Sequence, residues 1–463
     1  MVGKRKFYFQ WFALAAFSLA CAAQIPVSTD KAPEKGSCVP GPYCARTDRK
    51  TEVYPEKAPA LGPAGSIITD PVFGSRIVRV TDQNTDRVKA GRSVYSPSSA
   101  EQNTWNKTST MFYVTTDGGS FLLFHFDPST MKPRIAETPA LHWGPEPQFS
   151  FAQNNILYGM HHPEATIEQY DIASGKVSEI NKLSKCVKLG AGEGASVISV
   201  SADDNRLMTT LGPGQNKNYL VYVYERNRGC RWYNTETGEI GGDWGPKGTI
   251  SVPDRFLVHN ARIAKSGKFV YVTRGTNSSP GHRWVVWQLD TLNVSVCAKA
   301  CSGHHVMGYS HILGTSGFHH PMEVLLRPLD HVEESRSMIE GLEPGKKEWY
   351  DSHFSWNNVD PDDTAPVCYS TFLPTNSAAA GTAPMVTGPW ENEIDCAETD
   401  GKGSKVWRFA HTYSSAKNGF WSSPRGNISQ DGRFFEFTSD WENLLGTGPN
   451  GKNRMDVFVV ELK

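Results

Sequence analysis

A short phrase recurs six times between Ser99 and Thr438: a polar turn, a burst of alternating apolar residues, a second turn, and a second burst. The clearest copy is Ile263-Ala-Lys-Ser-Gly-Lys-Phe-Val-Tyr-Val-Thr273, followed by Trp284-Val-Val-Trp-Gln-Leu-Asp-Thr291. Ile428-Ser-Gln-Asp-Gly-Arg-Phe-Phe-Glu-Phe-Thr438 and Val200-Ser-Ala-Asp-Asp-Asn-Arg-Leu-Met-Thr209 repeat it. An imperfect copy runs from Ser150 to Tyr158. Strand-period alternation broken by such turns, returning every ~40–50 residues, is the pattern of stacked four-stranded sheets. One such sheet cannot cover both of its faces, so the repeats must pack radially around a common axis. The expectation is an all-β fold, a seven-bladed β-propeller, with six or eight blades as the alternatives. Architecture of this kind hosts enzymes and passive binders alike, so function has to be read from a site.

The repeat region is expected to occupy residues 66–463. Blades are placed near 147–180, 197–241, 257–297, 304–330, 350–411 and 422–462, after a hairpin built on Met111–Thr115 and Phe121–Phe126. The segment Arg76-Ile-Val-Arg-Val-Thr81 alternates like a strand and is expected to pair with C-terminal strands and close the ring. Two stretches break the β pattern: Asp330–Gly341, which has helix-like residues, and a Gly/Ala/Thr-rich insertion, Pro374–Ser404, that holds Trp390 and Cys396.

Ahead of the repeats, Lys4-Arg5-Lys6 precedes an apolar run to Ala20 and the small residues Ala20-Cys21-Ala22-Ala23. This is the pattern of a secretory signal peptide over 1–23, too short and too interrupted for a membrane span. Lipid anchoring at Cys21 is the alternative, against which Ser18-Leu19-Ala20 fits the lipoprotein pattern poorly. Residues 24–65, rich in Pro, Lys, Gly and Ala, read as a loosely attached extended arm. Eight cysteines remain beyond the leader, and an even count in an exported chain points to disulfides. Neighbouring cysteines suggest 38–44, 186–230, 297–301 and 368–396, although spacing does not decide connectivity. The formal net charge is −1, with no basic run that would suggest nucleic acid and no later apolar stretch that would suggest a membrane. A secreted monomer is expected, in the extracellular space or periplasm.

Residues just before each innermost strand converge on the central funnel of a propeller. Aligned on the first large residue of that strand, a polar residue falls three positions earlier. Gln102 precedes Trp105, Gln148 precedes Phe151, Asn260 precedes Ile263, His353 precedes Trp356 and Arg425 precedes Ile428; Val197 breaks the pattern. A shift of one residue admits His259 in place of Asn260. Histidines cluster as well: His304, His305, His311, His319 and His320 lie in one stretch, with His259, His353 and His411 elsewhere. Imidazoles from separate strands meeting at one point make a divalent metal site, whereas each alone is an ordinary hydrogen-bonded polar group. Tyr309 and Tyr413 are candidate acids beside them. Nucleophile-elbow, phosphate-loop and dinucleotide fingerprints are missing from the sequence.

The phrase Ser429-Gln-Asp-Gly-Arg-Phe-Phe-Glu-Phe-Thr438 resembles the TolB-type propeller repeat. Within that group the chain is similar to the secreted oligogalacturonate-lyase-like propellers, over roughly residues 66–462. The likeness rests on His259 ahead of Lys265-Ser-Gly-Lys268, on His353-Phe-Ser-Trp-Asn-Asn358, and on Pro424-Arg-Gly-Asn-Ile428. It implies a polysaccharide (uronate) lyase acting by β-elimination on an acidic polysaccharide or oligosaccharide, with a divalent metal (Mn, Ca or Zn) held by strand-initial His and Gln residues. The implied metal ligands are His259, His304, His311 and His353. The implied catalytic groups are His305, His353, Arg425 and Tyr309, with Arg262, Gln148 and Asn260 binding substrate. Arg425 stands where a His ligand is often found, a departure that bears on the metal more than on the funnel. The rival classes are a carbohydrate-binding module without catalysis, which needs exposed Trp faces at the rim, and a protein-docking propeller, which needs neither.

Overall fold

The structure is a computed structural model, and it describes residues 41–462 apart from 53–54, 56, 87–88, 215, 252–254, 276–283, 298–300, 302, 316–322, 340–350, 373–387, 401–404 and 416–418. The recurrent turn explains where the strands begin. In Ser429–Gly432 the Ser429 hydroxyl donates to Asp431 (2.7 Å) and accepts from the backbone N–H of Phe434 (3.0 Å). Asp431 accepts from the N–H of Arg433 (3.0 Å), and Gly432 supplies the left-handed backbone (φ 70°) the turn requires. Ser201 and Asp203 repeat the arrangement, Ser201 donating to Asp203 at 2.6 Å. Side chains thus satisfy the turn's N–H groups and free the next residues to enter a ladder.

The described strands fall into seven sheets, and their main order follows the chain. The first spans 94–135, the second 148–182, the third 194–249, the fourth 258–296, the fifth 305–339 and the sixth 351–411. The last joins both ends of the chain, in the order Ile67–Thr69, Arg76–Arg79, Asp456–Glu461, Phe434–Ser439 and Gly426–Ile428. Ile77 faces Val460 and Val78 faces Val459, so the N-terminal strand closes the circle as its alternation predicts. Arg79 seals this joint by donating to Asp456 (2.5 Å).

Successive sheets are stitched around the axis. Phe149 N–H donates to Asn103 O (3.0 Å), Ala202 N–H to Lys265 O (2.9 Å), and Lys265 N–H to Gly308 O (3.0 Å). Ser310 N–H donates to Asp363 (2.9 Å), Ile428 N–H to Ser355 Oγ (3.1 Å), and Ser96 N–H to Thr438 Oγ1 (2.8 Å). Between each neighbouring pair lies a separate apolar cluster. Trp105 of the first sheet, for example, wedges against Phe112, Phe126 and Phe434. Radial wedging of this kind, with no single central core, is a β-propeller.

Three expectations are corrected here. Arg336–Ile339 is a strand paired with Val324–Pro328, because it completes the fifth sheet whatever its helix propensity. Within Pro374–Ser404, Glu393–Ala397 is a buried strand, and Cys396 faces Cys368 across the ladder. The N-terminal arm is not loose over its described part. Tyr43 packs edge-on against Trp407 and Phe409, Arg46 forms a bridge with Arg408, and Trp441 donates to Pro59 O (2.8 Å). Disulfides join Cys186–Cys230, Cys297–Cys301 and Cys368–Cys396, as a chain from an oxidising compartment allows. The 38–44 pairing, the leader, and His319 and His320 lie outside the described residues. No helix among the described residues is long and apolar enough to cross a membrane.

Candidate functional site

The funnel is organised around Gln102, fully buried at the axis. Its side-chain amide donates to Glu146 O (3.2 Å), Pro147 O (2.9 Å) and Ile198 O (3.0 Å). Its own carbonyl accepts from Asn427 (2.6 Å) and Asn357 (3.3 Å). One residue therefore ties together the inner ends of five sheets, and its neighbours are carried to the mouth.

Glu101, next in sequence, is held by Asn260 Nδ2 (3.0 Å) and lies 3.4 Å from Arg262 Nε. Burial raises the Glu101 carboxyl above its usual range, opposed by Arg262, Asn260 and, beyond them, His304. His304 in turn packs on His353 with ring centroids 4.2 Å apart. The far face of His353 is stacked on Phe372, 5.1 Å away and within 10° of parallel. His353 is 4% exposed, and its Nδ1 has no hydrogen-bond partner among the described residues. Burial holds this imidazole well below its ordinary range, and the charges of His304 and Arg425 push the same way. It is therefore neutral at pH 7, with a nitrogen lone pair or N–H to offer.

Arg425 completes the row. It is fully buried, donating Nε–H to Pro97 O (3.3 Å) and Nη1–H to Phe420 O and to Ser423 Oγ (3.3 Å). Its Nη2 has no partner, and no carboxylate forms an ion pair with it among the described residues. Burial lowers it to about 10, against the pull of Glu146. Glu146 is itself engaged by Ser98 N–H (2.6 Å). A buried cation without a counter-ion is costly, and a carboxylate arriving at Nη2 would relieve that cost through a charge-assisted contact. Arg262, by contrast, already faces Glu101.

The other candidates do not join this row. His305 accepts from Trp284 Nε1–H (3.0 Å) and donates from Nδ1 to Gly303 O (2.8 Å). Both ring nitrogens are used inside the wedge between the fourth and fifth sheets, and burial drives its pKa down to about 3. Neighbouring residues of a strand face opposite ways, so His304 reaches the mouth and His305 does not. Tyr309 and His311 flank the turn at the other end of the inner strand His305–Met307. There Asp363 accepts from Tyr309 N–H (2.7 Å) and contacts His311 Nδ1 (3.0 Å). His259 is exposed and contacts Asn216 Oδ1 (2.5 Å), while Asn260 across the adjacent bulge points to Glu101. Gln148 is buried in its strand, and Glu146 is the residue of that sheet that bears on Arg425. Glu101 and Glu146 lie outside the polar slot, one residue before Gln102 and two before Gln148, so the slot pattern does not reveal them.

No group of three or more His, Asp and Glu ligand atoms gathers at the mouth among the described residues. The one such cluster found, Cys186, Cys230 and Asp243, has its two sulfurs joined in a disulfide. Among the described residues the imidazoles gathered beside Arg425 are His304 and His353, and two imidazoles do not complete the coordination of a divalent ion.

An oligogalacturonate lyase in complex with manganese superposes with a TM-score of 0.53, covering 88% of this chain and 98% of that one at 11% identity. The fold is that of the oligogalacturonate lyases. The enzyme of that name from Vibrio parahaemolyticus superposes with a TM-score of 0.52, at 9% identity over 88% of this chain and 99% of its own. No family model and no curated protein sequence matches the chain. The resemblance carried by the repeat phrase is therefore a likeness of fold.

Proposed function

We propose that the chain is a secreted, monomeric seven-bladed propeller, each sheet one blade, that binds an acidic oligosaccharide in its central funnel and cleaves it by β-elimination. The single observation that supports this is the fully buried Arg425, with no ion-pair partner among the described residues, beside a neutral His353 whose Nδ1 has no hydrogen-bond partner among them. Cleavage of a uronate begins with loss of the proton α to the carboxylate, and the glycosidic oxygen then leaves. A guanidinium meeting the carboxylate through Nη2 stabilises the enolate-like charge that develops. His353 is the proton acceptor in this reading. Its basicity is low in the empty site, and a bound carboxylate offsets the Arg425 charge that helps to depress it. His304 receives or relays charge from the other face. Asn260 and Glu101 form the neighbouring polar wall.

A divalent metal (manganese, calcium or zinc) on His304 and His353 would require ligands beyond those two, so no step is routed through one. The exposed aromatic pair Phe420 and Trp421 favours a second reading, a carbohydrate-binding propeller without catalysis. Incubation with polygalacturonate and other uronate polymers separates the two. The lyase reading expects absorbance from unsaturated ends, abolished in His353→Ala. A broad panel that yields no such product, with binding retained, leaves the binding module in its place.

A further inference from the structure

Phe420 and Trp421 are the only exposed Phe, Tyr or Trp side chains among the described residues, at 52% and 43%. They occupy the single turn Gly419–Ser422, ahead of Arg425. The turn is held from beneath. Arg425 Nη1 and Ser423 Oγ both donate to Phe420 O, the latter at 2.6 Å, and Ser414 Oγ donates to Ser422 O. The Arg425 guanidinium lies 4.2 Å from the Phe420 ring centroid and 4.9 Å from that of Trp421. Trp421 also rests on Tyr95 of the first sheet, centroids 4.8 Å apart. The two rings are thus fixed against the cation on one side and open to solvent on the other.

The other described tryptophans are buried between sheets or half-covered, so this exposure stands out among the described residues. An apolar platform touching an uncompensated cation complements a ligand with a carboxylate and, next to it, an apolar face of similar size. A chain of pyranose uronates has that form, carboxylate on one unit and a C–H face on the next. Resting on the reading that Arg425 holds a carboxylate, we infer that Phe420 and Trp421 form an adjacent subsite that stacks the neighbouring sugar ring. The site then selects an oligomer of uronates over a single uronate. Aromatic rings suit this role because they offer a large contact area with few rotatable bonds to freeze.

The test compares trigalacturonate with monomeric galacturonate, by calorimetry for the first and NMR shift titration for the second. Trp421→Ala is expected to weaken the trimer about tenfold while leaving the monomer within about twofold. Trp421→Phe keeps a ring and is expected to stay near the parent for both. An equal loss for trimer and monomer overturns the inference, since the ring would then only position Arg425. No loss for the trimer overturns it as well. Failure of the parent chain to bind either sugar removes the reading of Arg425 itself, and this subsite with it.

Discussion

Replacing His305 with Gln tests the separation between wedge and mouth. The imidazole is neutral in the folded chain, its pKa lowered from 6.5 to about 3 by burial, while in the unfolded chain it titrates normally. Below pH ~6.5 the unfolded state therefore binds a proton that the folded state refuses, and stability falls as the pH falls. The slope from this residue approaches ~1.4 kcal/mol per pH unit, or roughly 2–3 kcal/mol between pH 6.5 and 4.5. His353 adds a term of the same sign, so the informative quantity is the difference in slope between parent and variant. Gln can still meet Trp284 and Gly303 but does not titrate. Urea unfolding at intervals from pH 7.5 to 4.5 is expected to show a variant less stable at neutral pH but with a shallower pH dependence by about that amount. Activity on uronates, if the parent has it, is expected to persist in the folded variant. Parallel pH profiles for parent and variant would refute the assignment of His305 as a buried neutral group.

Arg425→Gln is expected to weaken an acidic oligosaccharide by about a hundredfold, the scale of a lost charge-assisted contact, while leaving the weak affinity for a neutral one unchanged; calorimetry reads both. Extensive chelation is expected to leave uronate affinity within about twofold, because Arg425 supplies the positive charge; a loss restored by manganese would place a metal in the site. Arg408→Met removes a buried cation that donates to Glu393 (2.8 and 2.6 Å) and to Asp48 and Lys50 O, so it should cost about 3–5 kcal/mol and make residues 41–52 sensitive to protease. Limited proteolysis with N-terminal sequencing checks this.

The periodic turns made the propeller legible. Ser429, Asp431 and Gly432 act through local hydrogen bonds and backbone conformation, so their spacing survives in sequence, and so does the alternation of Arg76–Thr81 that marks the closing strand. The site was half legible. Placing a polar slot ahead of each inner strand found His353, Arg425 and Asn260, because the start of an inner strand is a fixed radial position. It did not separate His304 from His305, since one residue of register turns a side chain from funnel to wedge. Nor could it send Tyr309 and His311 to the far turn, because the short inner strand His305–Met307 has both ends within a few residues in sequence. Glu101 was hidden for a different reason. It reaches Asn260 across 159 positions, a contact set by ring closure and by no local pattern.

The central claim is that Arg425 receives a carboxylate beside His353. The most direct measurement is calorimetric titration of the chain with an oligogalacturonate and with the same oligomer fully methyl-esterified, which keeps the rings and removes the charge. The account predicts that the free acid binds at least tenfold more tightly, and that Arg425→Gln erases the difference. Equal affinity for acid and ester in the parent chain would contradict it.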